Sequence, residues 1–350
     1  MVIIVIIRMR METEIQKSKG EYEIMRGKLW GLLVLTILLT FGWTGQAEAH
    51  PEERTYVSDG FEYTFDDETG YIWILAYVGR EREITVPAEI YVTPVKYIQN
   101  LGDSAIYGTY NSRISKVTLP EGIEYLDGMD NFVCLKEINI PESVTEIGYE
   151  AFYQCRKLKK VNFPKGLKEI GLSAFSGCRS LEEIQLPEGL EVISDGAFAG
   201  CMLVEEVEVP STVKTLGVEV FGDCENLKRV TLPNGLKTIP RNAFWGCEKL
   251  RSINLPKNLE IIEEKAFFGT AIKEITIPSK VKEISWYSFA SCGKLKKITF
   301  KGKNIKSIGK GAFSNIHSKA VFDVPNKSIK KYKNMLIKSK SFKNGKVKVK

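Results

Sequence analysis

Residues 158–180 read LKKVNFPKGLKEIGLSAFSGCRS, and residues 181–203 read LEEIQLPEGLEVISDGAFAGCML. The second stretch restates the first, with apolar residues, a proline, an Ala-Phe pair and a cysteine at matching places. The beat runs well beyond these two units. Pro141, Pro164, Pro187, Pro210, Pro233 and Pro256 are each 23 residues apart, and Pro278 follows after 22. Phe152, Phe175, Phe198, Phe221, Phe244, Phe267, Phe289 and Phe313 keep the same time, as do Cys155, Cys178, Cys201, Cys224 and Cys247. Cys134 stands 21 residues before Cys155, and Cys292 stands two repeats after Cys247 with Gly269 in the place of the missing member. The expectation is that all seven cysteines share one structural position.

One unit can be read physically. Leu158, Val161 and Phe163 lie on one side of a short extended run while Lys160 and Asn162 face the other way, the period-two signal of a strand. Pro164 has no N–H to give a ladder and ends that strand. Leu167 to Ile170 forms a second extended stretch, and Gly171 to Cys178 a tight helical or 3-10 turn that presents Ala174, Phe175 and Cys178 inward. A 23-residue unit cannot bury its own apolar edge, so units must stack into a solenoid with one continuous core. The predicted fold is mainly β, with parallel sheet, short helical or 3-10 turns and a small C-terminal helical cap.

Composition narrows the function classes. A chain of 350 residues, 43% hydrophobic and 27% charged, buries a sizeable core, which excludes a disordered chain and a small disulfide knot. Two histidines in the whole chain weaken most metal and acid-base readings. The net charge of +7 is unevenly placed: residues 301–350 hold fifteen lysines and one acid, Asp323, so the preceding residues are net acidic. A mildly acidic body with a basic tail argues against a nucleic-acid-binding domain.

Arg26 and Lys28 precede an apolar run from Leu29 to Trp43, and Ala47 and Ala49 supply the small residues a signal peptidase reads. That run reaches about 22 Å as a helix against a hydrocarbon core of roughly 30 Å. Residues 25–49 are therefore read as a secretory signal, with no stable transmembrane span after cleavage; an uncleaved anchor is the alternative. Residues 1–24 are read as an over-extended N-terminus with Met25 as the initiator.

The unit LxxIxLPxxLxxIGxxAFxxCxx, carried over residues 112–317, resembles the BspA-like leucine-rich repeats, a subclass also known from treponemal surface proteins. That resemblance implies a leucine-rich-repeat solenoid on a secreted or surface-associated bacterial protein, with adhesion, host-matrix binding or another intercellular interaction as its work. Residues 50–111, with Ile74, Tyr77, Gly79, Ile84, Pro87, Pro94, Val95 and Ile98, look like an N-terminal cap and atypical first repeats. Residues 318–350, with Val324, Pro325, Tyr332 and Leu336, look like a basic C-terminal cap. Two departures from the pattern, residues 99–111 and the segment Asp127 to Phe132, which is two residues short, are expected to form local bulges or loops.

Four groups of side chains are candidates for function. The ladder of Cys134, Cys155, Cys178, Cys201, Cys224, Cys247 and Cys292 is read as buried free thiols, because a catalytic thiol needs a nearby base and only His317 lies in the folded region. On the outward strand face, Glu182, Glu183, Glu205, Glu206 and Glu208 concentrate acid on two adjacent turns, flanked by Lys159, Lys160, Lys228 and Arg229. They form either a site for a basic protein segment or a divalent cation, or a solvated mixed-charge face. Trp245, Phe268, Trp286 and Tyr287 are expected along one edge of three turns, as an exposed binding patch or as rings packed on each other. The lysine-rich tail is a solubilising cap or an attachment to anionic cell-wall polymers. No cofactor is implied, no pocket with a convergent acid-base pair is legible, and a binding protein is expected rather than an enzyme. An envelope component with no selective ligand is the competing reading.

Overall fold

Most units make two short strands, one on either side of the proline; in the unit at 181–203 the first is reduced to a single bridge from Ile184 to Val207. The structure is a computed structural model that describes residues 55–99, 101, 113–342 and 348–350. The signal segment at 25–49 and most of the irregular stretch at 99–111 lie outside the described residues. First strands such as Lys160–Asn162, Glu206–Glu208 and Arg229–Thr231 run exposed, buried, exposed, so a β-branched middle residue enters the core between two solvated neighbours. Second strands are two residues long, as in Glu169–Ile170 and Val192–Ile193, with the isoleucine inward.

Pairing is parallel and joins each strand to its counterpart one repeat away. Lys160 lies beside Glu137, Val161 beside Ile138 and Asn162 beside Asn139, while Ile170 lies beside Ile193. About eleven turns stack in this way, which makes the molecule a β-solenoid. Because the register shift equals the sequence repeat, every side chain falls beside its own equivalent in the next turn. Identical side chains therefore form ladders.

The longest ladder is aromatic. Phe152, Phe175, Phe198, Phe221, Phe244, Phe267, Phe289 and Phe313 are wholly buried. Their rings stack one on the next, with centroids 4.9 Å apart at Phe152–Phe175 and 5.9 Å apart at Phe221–Phe244 and the planes within 13° of parallel throughout. Each ring sits in a loop closed by i→i+3 hydrogen bonds, such as Cys178 N–H to the Phe175 carbonyl at 3.2 Å. Residues two before and two after the phenylalanine are left-handed: Glu219 and Asp223 around Phe221 have φ of 58° and 54°. Glycine is favoured at the second of these positions, where Gly177, Gly200 and Gly246 stand with φ of 75°, 70° and 73°.

The two ends are closed differently. At the N-terminal end, β1 (Tyr56–Ser58), β2 (Phe61–Asp66) and β3 (Tyr71–Tyr77) form an antiparallel meander. After β4 (Glu83–Thr85), a hairpin of β5 (Glu89–Ile90) and β6 (Thr93–Ile98) follows, and β6 pairs in parallel with β3 and with Tyr125–Leu126. An antiparallel cap is absent from the repeat pattern, so the periodicity carried no sign of it. At the other end Val321–Asp323 continues the first-strand sheet, a 3-10 turn at Asn326–Ser328 leads into α1 (Ile329–Lys338), and Tyr332 and Leu336 of α1 are buried over the last turn. This agrees with the helical cap read from Tyr332 and Leu336.

The β5–β6 turn carries strain. Tyr91 and Val92 link Ile90 to Thr93 with φ of 48° and 62°, and Val92 is 87% exposed. Two central residues at positive φ suit Asn-Gly, and a β-branched residue there is an outlier. Replacing Tyr91-Val92 by Asn-Gly is expected to stabilise the protein by about 1 kcal/mol, measured as a rise in the urea midpoint at unchanged slope.

Candidate functional site

Outward positions of the first strands form one solvated face, and charge is arranged on it turn by turn. Lys159 reaches Glu182 at 3.2 Å, Lys228 reaches Glu205 at 2.6 Å, and Arg229 donates to Glu206. These pairs span one repeat each and follow from the parallel register that sets Arg229 beside Glu206. Exposed pairs of this kind contribute about 0–1 kcal/mol each. Their larger effect here is on the acidic patch, three of whose five carboxylates already have a cation from this chain. Glu183 accepts a hydrogen bond from Gln185 Nε2 at 3.0 Å, and no ion pair involves it or Glu208 among the described residues. No group of three or more His, Cys, Asp or Glu side chains that could hold a metal occurs among the described residues. The five glutamates are thus adjacent without converging on one point.

The aromatic group divides into two places. Trp245 and Phe268 follow the ladder phenylalanine by one residue and are half-buried. Trp286 and Tyr287 precede Phe289 by three and two residues. Trp286 is 61% exposed, and both rings lie over glycines of the following turn: a Cβ on Gly309 would meet Trp286 Cδ1 at 2.5 Å and one on Gly311 would meet Tyr287 Cε1 at 2.4 Å. No ring–ring contact joins the four.

The cysteine ladder needs two corrections. Turn hydrogen bonds place Met129 where the other turns have phenylalanine, since its N–H donates to the Ala151 carbonyl at 2.7 Å as Phe152 donates to that of Ala174. Phe132, not Cys134, then occupies the ladder position, and Cys134 sits two residues further on, half-buried. The missing two residues fall between Leu126 and Met129, so the interval of 21 to Cys155 was an accident of spacing. Likewise Gly269, with φ of 79°, holds the left-handed position, and the buried Thr270 takes the place of the absent cysteine, 3.2 Å from Cys292 Sγ.

What remains is a ladder with a polar role that apolar spacing did not suggest. Cys178 Sγ donates to the Phe152 carbonyl at 3.2 Å, Cys201 to that of Phe175 at 3.4 Å, Cys224 to that of Phe198 at 3.2 Å and Cys247 to that of Phe221 at 3.1 Å. Each thiol thus ties its own turn to the phenylalanine of the turn before. Burial pushes the Cys224 thiol up to about 12 and that of Cys292 up to about 11, so both are protonated and inert near neutrality. In the native protein a disulfide-exchange reagent at pH 8 is expected to label Cys134 alone, and all seven thiols after denaturation; rapid native labelling of the ladder would contradict this packing.

The second-strand sheet holds a feature that the sequence reading missed. Its outward row runs Trp73, Tyr97, Tyr125, Glu146 and Glu169 across paired strands. Trp73 and Tyr97 stack at 4.3 Å. With Glu124, Asp127, Gln99 and Thr145, the first four members line an open cleft of about 330 Å³. Tyr125 Oη donates to Asp127 Oδ2 at 3.0 Å, and the Gly128 N–H donates to Oδ1 at 2.6 Å. Gly148 makes the room, since a Cβ there would come within 2.2 Å of Tyr125 Oη. Burial raises the Asp127 carboxyl to about 6. The signal was an aromatic at the outward place of three successive strands, hidden because two of them belong to the cap.

At the C-terminal end, every described lysine between 301 and 350 is exposed, and Asp323 is the only acid in that stretch.

A stack of short parallel strands alternating with hydrogen-bonded turns, with leucines and isoleucines turned into the core, defines a leucine-rich-repeat protein. The profile of the BspA type leucine rich repeat region matches residues 99–228 and 214–346, with six copies, and the chain belongs to that family. Its members are generally non-enzymatic repeat scaffolds. Among solved structures, a leucine-rich repeat protein from Bacteroides ovatus is similar at 28% identity and a TM-score of 0.55, covering 77% of this chain and 70% of its own. The leucine-rich repeat protein of T. pallidum is 26% identical at a TM-score of 0.46, covering 69% and 91%. A leucine rich cell surface protein from Faecalibacterium prausnitzii is 25% identical at 0.46, covering 78% and 70%. No curated protein matches the chain. Among the described residues no helix is long and apolar enough to cross a membrane.

Proposed function

We propose that this chain is a secreted or cell-surface bacterial binding protein that holds an extracellular protein, such as a host-matrix component, on its first-strand face. The observation that carries the reading is the face itself: exposed side chains stand in register on successive parallel strands, as in Glu206 and Glu208 beside Arg229 and Thr231, and they stay exposed among the described residues. Such a face offers many shallow contacts in a row, which suits a protein surface better than a small substrate. The apolar run at 29–43 behind Arg26 and Lys28 supports export. An enzyme would need a convergent acid-base constellation, and the reading assigns none.

Glu183 and Glu208 are the two carboxylates of the acidic patch with no ion pair among the described residues, so they are the ones of the patch a basic partner segment would meet. Reversing both to lysine is expected to weaken capture of a matrix protein at least tenfold while the circular dichroism spectrum and urea midpoint stay unchanged. Equal binding by the variant would remove this face from the interaction. The exposed lysines of residues 301–350 are proposed to hold anionic cell-wall polymers, and release from cells by high salt rather than detergent is the corresponding observation.

A further inference from the structure

The cleft on the second-strand sheet is built from three aromatic rings and three carboxylates, and no lysine or arginine is among its described lining residues. Lys96 neutralises one of the three carboxylates, its Nζ lying 2.5 Å from Glu124 Oε1 and 5.3 Å from the centre of the Tyr71 ring. Asp127 is held by two hydrogen bonds but by no ion pair among the described residues, and Glu146 beside Tyr125 is likewise without one. Carboxylates lined by ring surface, open to solvent on one side, match one ligand chemistry. A primary alkylammonium satisfies the carboxylates with its three N–H donors while its methylene stem covers the rings. A neutral sugar would leave the carboxylate charges uncompensated, and an anion would be repelled.

We propose that this cleft is a receptor for an alkylammonium group, with Asp127 and Glu146 as its anionic wall and Trp73, Tyr97 and Tyr125 as its apolar wall. The lysine side chain of a partner protein and a free diamine share that chemistry. The site is distinct from the first-strand face and does not rest on that face's binding role. Tyr125 is the organising residue, because its hydroxyl fixes the Asp127 carboxylate and its ring lines the cleft. Gly148 permits that placement, which explains a glycine there whose φ is not in the left-handed region.

The pH dependence follows from the groups around Asp127. Tyr125 and the Gly128 N–H bond it, Asp130 of the same turn and Glu150 of the next add negative charge, and burial is the largest influence, so the carboxyl ionises near 6. Above that pH it is a carboxylate and attracts the ammonium. As pH falls through 6 it gains a proton and the attraction is lost.

Calorimetric titration of the full chain with two probes tests the proposal: 1,5-diaminopentane, and a lysine tripeptide capped at both ends. Saturable binding at pH 7.5 is expected for at least one. A response to the peptide alone assigns the source to a partner's lysine, and one to the diamine alone assigns it to a free amine. Asp127→Asn, which keeps Oδ1 as the acceptor for the Gly128 N–H and sets an Nδ2 donor against Tyr125 Oη, and Glu146→Gln, on an exposed strand position, are each expected to weaken binding about tenfold. Affinity should also fall between pH 7 and pH 5, and a norleucine tripeptide should not bind. Equal binding of the norleucine peptide, indifference to both substitutions, or no heat with either probe at millimolar concentration would overturn the proposal. Glu183→Lys, on the other sheet, should leave this titration unchanged, so failure here and failure of the first-strand reading are told apart.

Discussion

Phe221→Ala is expected to lower the unfolding free energy by about 3–5 kcal/mol, the range for emptying a fully buried aromatic site. The ring is wholly buried and stacked on both sides, 5.8 Å from Phe198 and 5.9 Å from Phe244. Its loop is fixed by left-handed residues and by the Cys247 thiol on the Phe221 carbonyl at 3.1 Å, so the walls cannot collapse far into the void. In a solenoid, stability is carried by neighbour contacts between turns, and a break in the middle uncouples the two halves. Urea unfolding followed by far-ultraviolet circular dichroism should therefore show a lower midpoint and a broadened or split transition. A loss under 1 kcal/mol with a single sharp transition would mean that the aromatic ladder is not what joins the turns.

Tyr332→Ala is the second large effect, again about 3–5 kcal/mol. Tyr332 is the largest fully buried side chain of the cap, its ring lies 4.8 Å from Phe300, and its hydroxyl donates to the Gly302 carbonyl at 2.6 Å. Burial pushes that hydroxyl up to about 12, so it is a neutral donor across the physiological range. Tyr332→Phe removes the hydrogen bond alone and should lose about 1 kcal/mol. The gap between the two variants measures how much of the cap is apolar packing. Because α1 shields the open end of the stack, Tyr332→Ala should also cause association at high protein concentration, seen by light scattering, whereas Tyr332→Phe should not. Equal effects of the two variants would contradict a cap held chiefly by its buried ring.

The repeat was legible because parallel stacking at a fixed register makes a one-dimensional period out of a three-dimensional neighbour relation. Pro164, Phe175 and Ile170 each announced a ladder before any coordinate was known, and the closing helix was legible from Tyr332 and Leu336. The cysteine row was misread at both ends for a physical reason. A missing pair of residues before Met129 shifts the frame, so equal residue type at Cys134 did not mean equal position. At the other end the left-handed place of Gly269 and the ladder place of Thr270 are adjacent in sequence, and only the turn hydrogen bonds tell them apart. In the acidic patch, side-chain reach across one turn decides which glutamates are paired, and a sequence does not show that. The cleft was hidden for a third reason, because Trp73 and Tyr97 come from a cap outside the period and meet Tyr125 only through strand pairing.

The central claim is that this solenoid works by binding a protein on its first-strand face. Surface plasmon resonance of the full chain over a panel of host-matrix proteins, with the Glu183→Lys/Glu208→Lys variant in parallel, tests it most directly. Saturable binding of at least one matrix protein at micromolar concentration or below, weakened at least tenfold in the variant, is the predicted result. No binding to any panel member at micromolar concentration, or binding that the variant leaves unchanged, would contradict it.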